Sequence, residues 1–268
     1  IAHQKFGLLP WKRLVSPAIK LARDGFIVTE TLAKSLESNK EKLAKTSDGR
    51  EIFFNNGSIL KSGDLLVQTD LAQTLELIAQ NGPAGFYEGH TAQKIHSDMR
   101  KNGGLISSAD LSNYKAKFRT PIEFNYKDLT ILTMPPPSSG GLILGLMLNM
   151  IEQLELDYSD PHQAENILKI SEIMQIAYSL RSVYMADSDF YDVPEEEFLD
   201  KEKAKELLKN INFKKMSSSQ NYDPVKFKFK ENTTHYSIAD RFGNIVSTTT
   251  TLNTAFGSGV VIKDTGLL

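Results

Sequence analysis

Apolar residues recur every three or four positions through most of the first two-thirds of the chain. This spacing places them on one face of a helix. It predicts helices over residues 17–24, 29–44, 64–80, 91–101, 142–154, 164–186 and 201–210. Within the helix over 164–186, we expect Ile167, Ile170, Met174 and Ala177 to face the core.

The period changes to two at residues 121–126 and 129–134, which predicts a hairpin that turns at residues 127–128. A second hairpin is predicted between 233 and 253, because both arms are rich in β-branched and aromatic residues. Helices followed by a terminal hairpin predict an α+β fold.

The turn of the second hairpin predicts its register. Asp240-Arg241-Phe242-Gly243 suits a type I turn with Gly243 in the left-handed conformation, which pairs Asp240 with Asn244. Counting outward from that pair places Thr233 opposite Thr251. Asn253, two residues on, is then expected to point to the same face at the end of the arm.

The facing threonine hydroxyls are candidates for nucleophilic chemistry. A nucleophilic hydroxyl needs a base and a group that orients it. A threonine at a chain terminus supplies its own base, because an α-amine has a pKa of about 7.7–8.0. Threonines in strands are more often simple β-formers, so the hairpin alone leaves both interpretations open. His235 shares the face of Thr233, and a hydrogen-bonded structural role is favoured for it over that of a catalytic base.

Composition excludes other classes of function. The formal net charge is −2, so no basic field attracts nucleic acid, and the absence of cysteine excludes thiolate chemistry. The loop at 138–141 lacks the Gly-Lys-Ser/Thr ending of a phosphate-binding loop, and the acidic loop at 187–192 lacks the calcium-binding pattern. No apolar run is long enough to span a bilayer. We therefore expect no metal, no cofactor and no membrane span.

Several motifs resemble one enzyme family. The stretches 232–237, 240–244 and 249–259 resemble the start of the small subunit of γ-glutamyltransferases (glutathione hydrolases), and Met134-Pro-Pro-Pro-Ser-Ser-Gly-Gly141 is similar to their large-subunit signature. The resemblance implies a partial four-layer αββα N-terminal-nucleophile hydrolase fold. Residues 1–232 would be the C-terminal part of the large-subunit segment and 233–268 the start of the small-subunit segment, together forming one structural domain.

The same resemblance implies an enzymatic function and roles for single residues. The precursor would cleave itself between Asn232 and Thr233, and Thr233 would become the nucleophile that attacks the γ-glutamyl amide of glutathione. Thr251 would position Thr233, and Asn253 would contact the glutamyl group. Water, an amino acid or a peptide would accept the γ-glutamyl group, and the location would be periplasmic or secreted.

Parts of the family pattern lie outside this sequence. The family's carboxylate-binding arginine lies upstream of Ile1, and its paired serines and Gly-Gly oxyanion hole lie downstream of Leu268. We therefore expect an internal piece of a longer chain that is inactive by itself. Three alternatives remain open, namely a β-lactam acylase, a poly-γ-glutamate transpeptidase of the same fold, and a catalytically silent scaffold. The occurrence of Thr233, Thr251 and Asn253 together argues against the last.

Overall fold

The computed structural model describes residues 1–209, 211–215, 217 and 233–268, which fall into two compact units. The first unit contains Ile1–Ala116 and the described residues from Thr233 to Leu268. The second contains the described residues from Lys117 to Ser217.

The first unit is mainly helical. Its helices are α1 (Ala2–Phe6), α2 (Trp11–Asp24), α3 (Glu30–Ser38), α4 (Lys40–Leu43), α5 (Ser47–Phe53), α6 (Thr69–Asn81), α7 (Ala84–Tyr87), α8 (Gly89–Asn102) and α9 (Ser108–Asn113). Its strands are β1 (Phe26–Ile27), β2 (Phe54–Asn55), β3 (Ser58–Ile59), β4 (Leu65–Leu66), β7 (Thr233–Ala239) and β8 (Ile245–Thr251). These strands pair antiparallel as β1–β4, β2–β3 and β7–β8.

Two apolar clusters stabilise this unit, and both include a residue that follows β8. The larger cluster is formed by Val28, Leu36, Leu43, Phe53, Ile59, Leu60, Leu66 and Val261. The smaller is formed by Ala92, Ile95, Leu111 and Ile262. Consecutive residues 261 and 262 therefore enter different clusters, which fixes the segment after the hairpin to both groups of helices.

The helix predicted over 17–24 begins earlier, at Trp11, and contains Pro17 in its interior. Proline has no backbone N–H, so the carbonyl of Arg13, four residues before it, loses its helical donor. The Ser16 hydroxyl donates to that carbonyl at 2.9 Å instead. This replacement explains why the helix continues through a residue that sequence rules place at a helix start.

The helices predicted over 64–80 and 29–44 also differ from the structure. The first begins only at Thr69, because Leu66 is buried and pairs with Phe26 in a short sheet. The second is divided at Asn39 into α3 and α4, and the Thr29 hydroxyl accepts a hydrogen bond from the Leu32 amide at its start. A local sequence pattern does not predict strand pairing between residues that are far apart in the chain.

The second unit packs helices on one hairpin. Its elements are β5 (Ile122–Tyr126), β6 (Leu129–Thr133), α10 (Gly140–Glu152), α11 (Ala164–Tyr184), α12 (Glu195–Leu199) and α13 (Lys201–Leu208). The β5–β6 hairpin has the predicted turn, with Tyr126 paired to Leu129. Helix α10 confirms the helix predicted over 142–154 and is buried on several sides, with Leu142, Leu146 and Met150 fully enclosed.

The predicted core face of α11 is wrong in part. Ala177 is fully buried, but Ile167 and Met174 are 51% and 43% exposed, and Ile173 takes the core position instead. Apolar residues occur on most sides of this helix, so spacing alone does not select the face that packs.

Candidate active site

The β7–β8 hairpin has the predicted register. Thr233 pairs with Thr251, and the pairing continues without a slip to Ala239 and Ile245. The Asp240 amide donates to the Asn244 carbonyl at 3.0 Å, and Gly243 has a φ of 84°. That conformation suits glycine and closes the three-residue loop.

A carboxylate holds the turn together. The Asp240 side chain accepts hydrogen bonds from the Phe242 amide at 2.8 Å, the Asn244 amide at 2.9 Å and the Asn244 side-chain amide at 2.8 Å. The side-chain bond from Asn244 is the main cause that holds the pKa of the Asp240 carboxyl below its usual value. These bonds satisfy the ionised carboxylate and favour the loop conformation that sets the register.

The two predicted threonines meet through their hydroxyls. Thr233 Oγ1 donates to Thr251 Oγ1 at 3.1 Å, and the backbone amide of Asn253 donates to the same Thr251 oxygen at 2.9 Å. Thr251 therefore receives one hydrogen bond from each side. This arrangement fixes the position of the Thr233 hydroxyl relative to the end of β8.

Asn253 does not continue strand β8, contrary to the prediction. Strand β8 ends at Thr251, and Asn253 has a φ of 73°, so strand alternation does not extend to it. Asparagine tolerates this left-handed conformation better than most residues. Asn253 thus reaches Thr251 by its backbone N–H.

His235 lies two residues after Thr233 in β7 and therefore on the same side of the ribbon. Its Nδ1 lies 2.7 Å from Thr249 Oγ1, and its Nε2 lies 3.2 Å from Ser247 Oγ. A neutral imidazole has one donor and one acceptor nitrogen, and hydroxyls can serve either. This geometry confirms a hydrogen-bonded histidine. Thr249 and Ser247 were not identified from the sequence, although the same register count places them opposite His235 and Ser237.

The hairpin is exposed along both arms, with only Thr248 partly buried, whereas the chain after it is anchored. Phe256 packs edge-on against Phe53 with ring centroids 5.9 Å apart. The Thr265 carbonyl accepts a buried hydrogen bond from the Thr74 hydroxyl at 2.8 Å. Thr233 and Thr251 consequently lie at the anchored end of the ribbon, and the Asp240 turn lies at its free end.

Asn232, the other residue of the predicted cleavage site, lies outside the described residues. Within the described ranges, no group of three or more His, Asp or Glu side chains is arranged to hold a metal ion. Among the helices of those ranges, none combines the length and apolar character needed to cross a bilayer.

Comparison with known proteins identifies the family. The sequence profile described as gamma-glutamyltranspeptidase matches residues 1–268. The chain belongs to the gamma-glutamyltranspeptidase family. It is 42% identical over 271 aligned residues to the glutathione hydrolase proenzyme of Escherichia coli, covering all of this chain and 47% of that protein. The chain thus spans about half the length of this curated relative.

Solved structures of related proteins have the same fold. The gamma-glutamyltranspeptidase of Helicobacter pylori is similar with a TM-score of 0.78 and 37% identity, over 86% of this chain and 66% of that one. A cephalosporin acylase from Bacillus halodurans is similar with a TM-score of 0.84 and 26% identity, over 99% of this chain and 48% of that one. These likenesses confirm the predicted α+β N-terminal-nucleophile hydrolase fold of the family.

Proposed function

We propose that the full-length protein containing this chain is a γ-glutamyltransferase and glutathione hydrolase with Thr233 as its nucleophile. The observation that carries the proposal is the hydrogen bond from Thr233 Oγ1 to Thr251 Oγ1 at the base of the β7–β8 hairpin, in a member of this family. A threonine whose hydroxyl is fixed at the start of a strand is suitably placed to act as a nucleophile once it becomes the first residue of a new chain.

The proposed first reaction is self-cleavage. The Thr233 hydroxyl oxygen attacks the carbonyl carbon of Asn232, and the C–N bond to Thr233 breaks as its nitrogen takes up a proton. Water then hydrolyses the resulting ester, leaving a carboxylate at 232 and restoring the Thr233 hydroxyl. The word "proenzyme" in the name of the Escherichia coli relative supports a precursor of this kind. The products are the two subunit segments that meet at 232 and 233.

The anchored chain after β8 explains how the products would stay together. Cleavage before Thr233 leaves β7 paired with β8, and residues 255–265 remain packed on helices of the first unit. The newly formed terminus therefore keeps the hydroxyl geometry that it had in the precursor.

The second reaction is γ-glutamyl transfer. The new α-amine of Thr233 accepts the hydroxyl proton while the oxygen attacks the γ-glutamyl carbonyl of glutathione or a related amide. The amide C–N bond breaks, and the leaving amine is protonated. Water, an amino acid or a peptide amine then attacks the ester and releases Thr233. In this proposal Thr251 positions the nucleophile, and Asn253 contacts the glutamyl group.

The proposed activity also requires residues outside the hairpin. Residues upstream and downstream of this chain supply the carboxylate-binding arginine and the oxyanion hole, so the chain alone is inactive. Loss of an oxyanion donor by itself lowers rates by about 10²–10³. The reaction requires no cofactor, and the location is periplasmic or secreted.

A β-lactam acylase is the second candidate, because the cephalosporin acylase of Bacillus halodurans matches 99% of this chain in structure. Both activities use the same nucleophile and differ in the acyl group that is recognised. Parallel assays with a γ-glutamyl anilide and a cephalosporin amide distinguish them, since each candidate predicts turnover of one substrate class.

The nucleophile is tested with the full-length protein and two substitutions. Thr233→Ala removes the hydroxyl and should abolish both self-cleavage, followed by intact-mass spectrometry, and γ-glutamyl anilide turnover. Thr233→Ser keeps a hydroxyl and should retain part of each. Thr234→Ala is the matched control, because Thr234 lies next in β7 and pairs with Thr250 on the opposite face. Turnover by Thr233→Ala at the wild-type rate would contradict the assignment.

A further inference from the structure

Between the strand that ends at Thr251 and the buried residues 261–262 lies a compact turn over 253–259. Asn253, Phe256, Gly257 and Gly259 all have positive φ, at 73°, 56°, 51° and 74°. Two of these are not glycines, and a bulky residue such as Phe256 rarely occupies a left-handed conformation unless surrounding contacts hold it.

Internal hydrogen bonds close part of it. The Thr254 hydroxyl donates to the Gly257 carbonyl at 2.7 Å, and the Gly257 amide donates to the Thr254 carbonyl at 2.9 Å. The Gly259 amide donates to the Phe256 carbonyl at 2.7 Å. These bonds shape the turn but do not attach it to the rest of the unit.

One distant side chain makes that attachment by hydrogen bonds. Lys42, in α4, donates from Nζ to the Ala255 carbonyl at 2.8 Å and to Thr254 Oγ1 at 3.3 Å. Ala255 is only 7% exposed, so its carbonyl has little access to water. A charged donor is stronger than a neutral one in such surroundings.

The stem of the same lysine shapes the end of the turn. A Cβ built on Gly259 would lie 2.4 Å from Lys42 Cγ and 3.1 Å from Cδ, so the glycine backbone packs directly against the stem. Lys42 follows α3 closely and precedes Leu43, which is fully buried, so its backbone is firmly placed. Lys42 therefore contacts both ends of the turn from a fixed position.

The contacts form a continuous path to the candidate nucleophile. Lys42 holds Ala255, and two residues earlier the Asn253 amide donates to Thr251 Oγ1. Thr251 Oγ1 in turn accepts from Thr233 Oγ1. We propose that Lys42 is a positioning residue that sets the place of the Thr233 hydroxyl through the turn and Thr251. The proposal rests on the proposed function, since it assigns Lys42 to the site where Thr233 acts.

The expected effect is a loss of rate without a loss of fold. Lys42→Met keeps the stem that covers Gly259 and removes the donor. We expect self-cleavage, which involves no bound substrate, and kcat to fall together by about three- to tenfold, because the Thr233 hydroxyl is displaced. Lys42→Arg, which keeps a charged donor, should restore most of both rates.

The matched control is Lys45→Met, because Lys45 is an exposed lysine three residues further along the chain. All variants are prepared in the full-length protein and assayed at a temperature well below their midpoints of thermal unfolding. Hydrogen exchange measured by mass spectrometry over 252–259 gives a readout that needs no catalysis. Lys42→Met should exchange faster there, and residues 261–268 should be unchanged.

Each outcome decides the proposal. Wild-type rates of cleavage and turnover in Lys42→Met, or an equal loss in Lys45→Met, would overturn it. If the wild-type protein neither cleaves itself nor turns over a γ-glutamyl amide, the proposed function is wrong, and the exchange over 252–259 then decides whether Lys42 holds the turn. If Lys42→Met fails to fold, comparison of Lys42→Arg with Lys42→Gln replaces it. Failure of Arg to exceed Gln in rate would also overturn the inference.

Discussion

Replacement of Thr251 by valine isolates the hydroxyl pair at the hairpin base. Valine keeps the β-branch that suits a strand and places a methyl group where Thr251 Oγ1 accepts two hydrogen bonds. Nonbonded carbon atoms prefer separations of about 3.5–4.0 Å. The observed 3.1 Å between the hydroxyls is therefore too short for a methyl group, and Thr233 Oγ1 must move by roughly 0.5 Å or rotate away.

The effect on rate should exceed the effect on stability. A typical hydrogen bond contributes about 0.5–1.5 kcal/mol, and both donors here are exposed, so water can replace the lost acceptor. We expect Thr251→Val to lower the free energy of unfolding by about 1 kcal/mol or less. Misplacement of a reacting group by about 1 Å can cost about a hundredfold in rate, so a smaller displacement should slow self-cleavage and kcat by about ten- to a hundredfold.

The assay compares three variants of the full-length protein. Self-cleavage is followed by intact-mass spectrometry, turnover by release of the anilide, and stability by thermal unfolding. Thr251→Ser keeps the hydroxyl and should remain close to wild type. Thr250→Val makes the same change on the opposite face, where residue 250 pairs with Thr234, and should leave the rates unchanged. Wild-type rates in Thr251→Val, or an equal loss in Thr250→Val, would refute the positioning role.

Three further outcomes follow from the structure. The pKa of Asp240 is lowered in the folded protein, so the stability that its carboxylate contributes is present above the ordinary carboxyl pKa of about 3.9 and is lost as pH falls through the folded pKa. NMR shifts of Asn244 should therefore report a loosened turn below about pH 4. Asp240→Asn should remove that transition. Thr74→Val leaves the buried Thr265 carbonyl without its donor and should lower the free energy of unfolding by about 1–3 kcal/mol, measured by denaturant titration. The methyl group of Gly243→Ala meets no neighbouring atom, but the alanine must adopt a φ of 84°, so the substitution should destabilise the hairpin by about 1–2 kcal/mol. The loss should be seen as faster amide exchange in β7 and β8. Gly243→Asn should lose less stability, because asparagine tolerates this conformation better than alanine.

Much of the helical structure could be predicted because its signals are local. Helix α8, predicted over 91–101, ends where Gly103 adopts the left-handed conformation. The start of α6 could not be predicted, because Leu66 belongs to a strand whose partner, Phe26, lies 40 positions earlier in the chain. Pairing over that distance depends on packing that local periodicity does not describe.

The candidate site likewise has features that the local sequence determines and features that depend on tertiary contacts. The facing positions of Thr233 and Thr251 are determined by the sequence itself, because the Asp240–Asn244 turn is closed by neighbouring residues and sets the register for the whole ribbon. The left-handed conformation of Asn253 and the bond from Lys42 to Ala255 were decided only by the tertiary structure. The bond from Lys42 to Ala255 joins residues 213 positions apart, and no local pattern specifies which distant groups will meet.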